Sequence, residues 1–173
     1  AEEPTKPVAP TTAISGQSVL VSWQKPDERG SPITHYEISI RQSDEVTFSV
    51  ELASCDGSDS GIVSDAQCLI PISTLRGAPF NIDWGSSIYA KVVAGNSYGD
   101  SLVSDAGNGA TILTNPDAPL NLANKPDDTN SNQISITWQQ GLFAGGSPVL
   151  DYKISYDQAS GNWVEVTSLT DTT

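Results

Sequence analysis

The 173-residue sequence has no methionine, one histidine and two cysteines, and its 8 basic residues are outnumbered by 21 acidic ones. The net charge of −13 argues against a nucleic-acid partner, which a basic surface would attract. No apolar run is long enough to cross a membrane as a helix. Because the chain begins with Ala1 and lacks an initiating methionine, we expect a processed protein or a segment of a longer one.

Residues that carry enzyme chemistry are scarce and poorly placed. The single histidine, His35, adjoins Tyr36 in a strand-like segment, where it is expected to face solvent. Paired carboxylates such as Asp27-Glu28, Asp44-Glu45 and Asp127-Asp128 fall in loops, whereas acid–base catalysis needs them in a pocket. One histidine and two cysteines are too few for a zinc site. We therefore predict a non-enzymatic protein with no cofactor, no metal and no catalytic residue.

Apolar residues recur with a period of two between glycine-, proline- and asparagine-rich turns, while helical periodicity is nearly absent. The alternation predicts strands over 19–23, 36–40, 48–52, 70–72 and 88–94, and a short final strand from Ala110 to Leu113. Short alternating strands separated by turn signals are typical of β-sandwiches and barrels. The predicted fold class is therefore all-β.

An internal repeat divides the chain. Residues 19–40 align with residues 134–156, so that Trp23 matches Trp138 and Tyr36 matches Tyr152, and a Gly-Ser-Pro triplet follows each tryptophan. A long repeat with matching turn residues indicates two copies of one domain. We predict a complete domain over 1–114 and the N-terminal part of a second over 115–173, joined by a proline-containing linker.

The motifs resemble the fibronectin type III domain, an immunoglobulin-like β-sandwich. The family places a tryptophan on its second strand and a tyrosine on its third, here Trp23 and Tyr36. It also has a leucine before the crossing from the fifth strand to the sixth, here Leu75. An Ala-x-Asn-x-x-Gly-x-Ser run, here 94–101, ends its sixth strand. A Gly-Asn-Gly-Ala segment (107–110) leading to Pro-Asp-Ala-Pro-x-Asn-Leu (116–122) is similar to tandem arrays in large protist surface proteins.

Two positions depart from the family pattern. The family usually has a tyrosine eight residues before the asparagine, where this chain has Ile88, and the tyrosine is its neighbour Tyr89. By strand alternation Ile88 should point inward and Tyr89 outward. The segment 76–87 is also longer than usual, and we expect its aromatic residues, Phe80 and Trp84, to cap the sandwich. The alternative is an exposed binding tip.

The second copy reaches the counterpart of Leu52 near Val166, so the equivalents of the last three strands are missing. The strands expected in it cover 120–123, 133–138, 150–156 and 163–166. Three explanations stay open. The source chain continues with the remaining strands, a partner or an identical subunit supplies them by strand addition and so builds a filament, or this half is disordered in isolation.

Cys55 and Cys68 stand at the two ends of an acidic, glycine-rich loop. The resemblance places them at neighbouring strand ends, which predicts a disulfide and an extracellular or cell-surface protein. The alternative is a pair of free thiols in a cytosolic array. Calcium is a weaker candidate, because residues 56–61 are only distantly similar to a calcium-binding loop and Gln67 stands where the bidentate acid belongs.

The function that these features favour is a structural or adhesive extracellular repeat segment, part of a longer array or a filament, whose partners are neighbouring repeats or identical subunits. The alternative is a cell-surface receptor or ligand-binding module that uses loops or an exposed sheet face. Exposed aromatic residues would favour the alternative, with Tyr89, Tyr98, Phe143 and Trp163 as candidates. An accessory domain of a secreted polysaccharide-degrading enzyme and a cytoplasmic titin-like array are further alternatives.

Overall fold

The structure is a computed structural model that describes residues 1–157 and 159–166. The chain divides into two compact units, Ala1–Thr114 and Asn115–Thr173. The residues outside the described ranges, 158 and 167–173, belong to the predicted second domain, so that part of the prediction lies outside the described residues.

The first unit consists of two antiparallel sheets. One has the strand order β1-β2-β5 and the other the order β4-β3-β6-β7. The elements are β1 (Thr11–Ser15), β2 (Ser18–Ser22), β3 (His35–Arg41), β4 (Phe48–Val50), α1 (Ser60–Asp65), β5 (Gln67–Pro71), α2 (Ile72–Arg76), β6 (Ala90–Asn96) and β7 (Gly99–Asp100). This arrangement is consistent with an immunoglobulin-like sandwich, and the predicted all-β fold class is confirmed.

The alternation of the strands places one face of each sheet in a common core. Val19 and Val21 of β2 are fully buried, and so is Val92 of β6. The Trp23 and Tyr36 rings meet edge to face within this core, with centroids 5.0 Å apart and an interplanar angle of 66°. Such aromatic pairs contribute roughly 0.5–1.5 kcal/mol beyond the burial of their surface.

Several predicted boundaries need correction. The loop between the two cysteines contains the short helix α1, because the Asp59 carboxylate accepts hydrogen bonds from the amides of Gly61 and Ile62 and so caps its first turn. Ile72 is buried as predicted, but it begins α2 instead of ending a strand. In β4 the predicted alternation is wrong, since Val50 and Leu52 are 41% and 64% exposed whereas Glu51 between them is 6% exposed.

The predicted final strand from Ala110 to Leu113 does not form as a continuous strand. Isolated backbone hydrogen bonds hold this segment instead, among them the bond from Ile88 N–H to the Ala110 carbonyl at 2.9 Å. The glycines before it explain the Gly-Asn-Gly-Ala motif, since a Cβ atom at Gly107 would overlap the Pro10 carbonyl and one at Gly109 the Thr12 carbonyl. The close approach of the N-terminal segment therefore requires glycine there and interrupts regular pairing.

The insertion 76–87 caps the core. Phe80 is 1% exposed, and Trp84 packs against the core under the Arg76 guanidinium, which lies 4.7 Å from the ring centroid. Ile88 is fully buried and Tyr89 is half-buried on the outer face of the sheet, as the alternation predicts.

The second unit forms two small antiparallel pairs. Strand β8 (Leu120–Asn124) pairs with β9 (Ile136–Gln139), and β10 (Ser155–Tyr156) pairs with β11 (Val164–Glu165); a short 3-10 turn spans Pro126–Asp128. The strands predicted over 133–138 and 150–156 are thus shorter than expected. In the first unit β3 has a partner on each side, β4 and β6, whereas β10 pairs with β11 alone within the described residues.

The aromatic pair of the core is nonetheless formed in the second unit. The centroids of Trp138 and Tyr152 lie 5.4 Å apart at an interplanar angle of 67°. Neither ring is fully buried, and no hydrophobic side chain within 115–157 or 159–166 falls in the buried class. Large apolar residues face solvent instead, namely Leu122, Ile134, Leu142, Leu150 and Trp163.

Candidate functional site

The interior of the first unit is filled by side chains, so its candidate sites lie on the surface. Two surface hollows lie among the described residues. One, of about 280 Å³, lies beside the start of β3 and is lined by residues 35–38, 50, 52 and 55–58. The other, of about 160 Å³, is lined by Arg41, Gln42, Ser43, Glu45, Ile82, Asp83, Ser86 and Ser87.

The wall of the first hollow is held by the disulfide. Cys55 and Cys68 are bonded, with Cα atoms 5.3 Å apart, and both are buried. The loop that they close hydrogen-bonds to both sheets, because the Gly57 carbonyl accepts from Tyr36 N–H at 2.9 Å and the Ala66 carbonyl accepts from Trp23 N–H at 3.0 Å. The disulfide loop therefore ties together the backbones of the two core aromatic residues.

A buried carboxylate shapes the start of the same wall, and sequence reasoning missed it. Glu51 is 6% exposed, and its oxygens accept hydrogen bonds from Ala53 N–H at 2.9 Å, from Ser54 N–H at 3.0 Å and from the Ser54 hydroxyl. Burial of a charge is tolerated where hydrogen bonds replace its hydration. The sequence signal, a glutamate just before a turn with serine, is too common to reveal this role.

Asn96 organises the loops at one end of the sandwich. Its side-chain amide donates to the carbonyls of Glu2 at 2.8 Å, Ser31 at 3.2 Å and Glu28 at 3.3 Å, while its oxygen accepts from Tyr98 N–H at 2.9 Å. The asparagine of the family-like run thus ties the N-terminal segment and the loop between β2 and β3 to the end of β6.

The segment 95–99 also fits the Gly-x-Ser-x-Gly pattern of serine hydrolases. Ser97 lies in the hairpin between β6 and β7, not in a strand-to-helix elbow, and its hydroxyl bonds to that of Ser31 at 2.9 Å. His35 is half-buried and its two ring nitrogens contact Thr34 and Asp100, at 3.2 and 3.1 Å. No bond from Ser97 to His35 is formed, so this geometry activates no nucleophile.

The predicted loop carboxylates serve as turn caps. Asp44 accepts from the Thr47 hydroxyl and from the amides of Thr47 and Val46, and these bonds lower its pKa. The Ser58 hydroxyl and amide likewise lower the pKa of Asp56. Asp128 pairs with Lys125 at 2.5 Å and raises the pKa of that lysine. Within the described residues, no three acidic, histidine or cysteine side chains group as a metal site would require.

Aromatic candidates for ligand contact are dispersed. Tyr98 is 62% exposed, Trp163 72% and Phe143 40%, and no ring–ring contact joins any of them in the part of the chain that the structure describes. Tyr89 lies under the Arg41 guanidinium at 3.9 Å, and the neighbouring Lys91 ammonium lies 4.1 Å from the Phe48 ring centroid. These rings already have partners on one face.

Within the described ranges, no helix is both long and apolar enough to cross a bilayer.

Comparison with known proteins finds a family match over part of the first unit. Residues 3–67 match the family model described as the fibronectin type III domain. A Tyrosine-protein phosphatase Lar-like from Caenorhabditis elegans is 28% identical over 168 residues, which cover 92% of this chain and 7% of the relative. Protein sidekick-2 from Mus musculus is 30% identical over 140 residues, 80% of this chain and 6% of the relative. The chain therefore spans less than a tenth of either curated relative.

Two solved structures are similar at low sequence identity. The sixth fibronectin type III domain of human fibronectin type III domain containing protein 3 has a TM-score of 0.49 at 16% identity, covering 68% of this chain and 94% of that one. The FN1–FN3 domains of chicken CNTN1 have a TM-score of 0.41 at 14% identity, covering 92% and 51%. Together with its sandwich architecture, the family match supports a fibronectin type III domain, a non-catalytic module, in the first unit.

Proposed function

We propose that this chain is a structural or adhesive segment of an extracellular protein built from tandem fibronectin type III domains. The observation that carries the proposal is the repeated aromatic pair. Trp23–Tyr36 and Trp138–Tyr152 share their edge-to-face geometry to within 0.4 Å in centroid distance and 1° in interplanar angle. The second unit therefore begins the same sandwich. A domain that is repeated along a chain acts through the length and the surface of the array.

The exposed apolar residues of the second unit suggest which segments would cover it. In the first unit β5 pairs with β2, with Cys68 opposite Val21, and β6 pairs with β3, with Ala94 opposite Tyr36. Strand β9 is the counterpart of β2 by the sequence repeat. We propose that segments equivalent to β5 and β6, from adjoining repeat sequence, cover the apolar face of the second unit. Strands from an identical subunit would instead make an open head-to-tail filament.

An extracellular location fits the chemistry of the first unit. A disulfide with both cysteines buried persists in an oxidising compartment. Acidic residues outnumber basic ones by 14 to 6 in residues 1–114 and by 7 to 2 in residues 115–173. The resulting like charge keeps neighbouring domains soluble.

Two measurements test the proposal. Non-reducing peptide mapping of the protein from its source should recover a Cys55–Cys68 linked peptide, and antibodies to residues 1–114 should label intact cells. Free thiols or labelling that requires permeabilisation would contradict an extracellular array. Sedimentation velocity over a concentration series separates the two partner versions, since a monomer throughout supports adjoining repeats and concentration-dependent oligomers support identical subunits.

A further inference from the structure

We propose that the surface hollow beside β3 is a docking groove for an extended, basic segment of a partner protein that carries an apolar residue next to a lysine or arginine. The inference concerns the first unit and does not rest on the tandem array. The groove measures about 280 Å³, and the start of β3, Tyr36 to Ile38, contributes to its lining.

The groove exists because β4 is short. Strand β4 pairs with β3 only from Ser39 to Arg41, so the earlier half of β3 has no ladder partner on this side. Next to this unpaired part of β3 lies the segment 55–58, where the Gly57 carbonyl accepts a hydrogen bond from Tyr36 N–H at 2.9 Å. The opening is therefore built into the register of the sheet.

The walls of the groove are fixed before any ligand arrives. Glu51 caps the turn at Ala53 and Ser54, and the disulfide anchors Cys55. Gly57 lies so close to Tyr36 that a Cβ atom would overlap its carbonyl oxygen. A groove that needs no rearrangement loses less conformational entropy on binding. The groove is thus held in shape by three features: the buried glutamate, the disulfide and the required glycine.

Charge selects a cationic occupant. Glu37 and Asp56 line the groove and are exposed, and the Ser58 hydrogen bonds that lower the Asp56 pKa keep this carboxylate ionised. His35 also lines it, next to the carboxylate of Asp100. The lysine and arginine of this sheet, Lys91 and Arg41, are stacked on rings and neither lines the groove. The net charge of −13 adds long-range attraction for a basic partner.

Apolar walls add the second requirement. Val50 is 41% exposed and Leu52 is 64% exposed, and both line the groove with Ile38. Such a lining accommodates an apolar side chain or the aliphatic stem of lysine or arginine, while the carboxylates receive the charged head. An acidic segment would meet like charge, and a purely polar one would leave Leu52 in water.

The test is a residue-resolved NMR titration of the 15N-labelled 173-residue chain with three capped peptides, Lys-Leu-Lys-Leu-Lys, Lys-Ser-Lys-Ser-Lys and Glu-Leu-Glu-Leu-Glu. We expect saturable shifts at residues 35–38 and 50–58 with the first peptide, weaker ones with the second and none with the third. Raising NaCl to 0.5 M should weaken binding because salt screens exposed charges.

Matched variants locate the site. Glu37→Gln with Asp56→Asn should weaken binding by about fivefold, the loss expected for two exposed charge pairs. Glu3→Gln with Asp65→Asn removes the same charge away from the groove and should leave affinity unchanged. Leu52→Ser should weaken binding, whereas Leu102→Ser, at a residue 76% exposed elsewhere, should not.

Several results would overturn the proposal: shifts confined to residues 115–166, small shifts spread evenly over the acidic surface, equal binding of the acidic peptide, or unchanged affinity in both groove variants. Circular dichroism of each variant confirms that the fold is kept, so that a loss of binding reports the groove.

Discussion

Trp138 and Tyr152 hold their rings edge to face at 5.4 Å although neither residue is fully buried. The same contact in the first unit, between Trp23 and Tyr36, lies in a closed core where the two residues are 7% and 3% exposed. Local sequence and the pairing of a few strands are thus enough to form the contact. A closed core also needs further strands. The first unit has them in β5 and β6, and the described part of the second unit has no counterpart of them.

Truncating the two tryptophans should therefore have unequal effects. Trp23→Ala removes a buried side chain and should lower the free energy of unfolding by about 3–5 kcal/mol. Trp138→Ala removes a half-exposed one and should lower it by about 1–2 kcal/mol, since less apolar surface returns to water. Urea unfolding followed by circular dichroism measures both. Equal losses would show that the second core is as closed as the first.

Tyr36 should make the first unit sensitive to alkali. Burial raises its pKa above the ordinary value of 10.0, because desolvation disfavours the phenolate. The unfolded chain then loses this proton at lower pH than the folded one. The contribution of protonated Tyr36 to the free energy of unfolding is fully present below about pH 10. It is lost as the pH rises from there through the folded-state pKa. Thermal unfolding of the wild type and Tyr36→Phe across this window checks the claim, and the variant should lose less stability. Parallel curves would contradict it.

The disulfide should stabilise the first unit by about 3 kcal/mol, the chain-entropy value for a loop of this length. The cysteines are 13 residues apart in sequence, and the loop also positions the backbones of Trp23 and Tyr36. The urea midpoint with and without reductant measures the effect. In the Cys55→Ser, Cys68→Ser double variant, reductant should have no effect; a midpoint equal to that of the oxidised wild type would contradict the expected stabilisation.

Asn96→Ala should destabilise the first unit by about 1–3 kcal/mol, because three loop carbonyls lose their shared donor. Asn108→Ala is the control, since Asn108 is exposed and its backbone carbonyl, which accepts from Thr12, is kept. Thermal melts of the two variants should differ clearly. If the melting temperature of Asn96→Ala matched that of the control, the Asn96 hydrogen bonds would contribute nothing.

Much of the first unit could be predicted from sequence because β2, β3, β5 and the first part of β6 alternate between core and surface. Val19, Val21, Ile38 and Val92 are buried as the period of two requires. Cys55 and Cys68 are bonded, although Cys55 follows β4 of one sheet and Cys68 lies in β5 of the other. Phe80 and Trp84 cap the core because the inserted segment has apolar residues and no strand partner of its own.

What could not be predicted depends on contacts between distant residues. The six-residue helix α1 depends on caps at Asp59 and Ala66, and helical periodicity cannot be detected over so few residues. The irregular final segment follows from Pro10 and Thr12 approaching Gly107 and Gly109 from almost a hundred residues away. The groove depends on where β4 stops pairing, which alternation alone does not determine. In the second unit, strand lengths depend on partner strands.

Hydrogen exchange of the 173-residue chain, read residue by residue, measures how far each of the two units closes its core. Closed cores protect backbone amides far more than open sheet edges do. We predict strong protection at Val21, Ile38 and Val92, and exchange at least about a hundredfold faster at Thr137 and Trp138 in a monomeric sample. Comparable protection in the two units of a monomer would contradict the claim that the second unit is an open copy of the first.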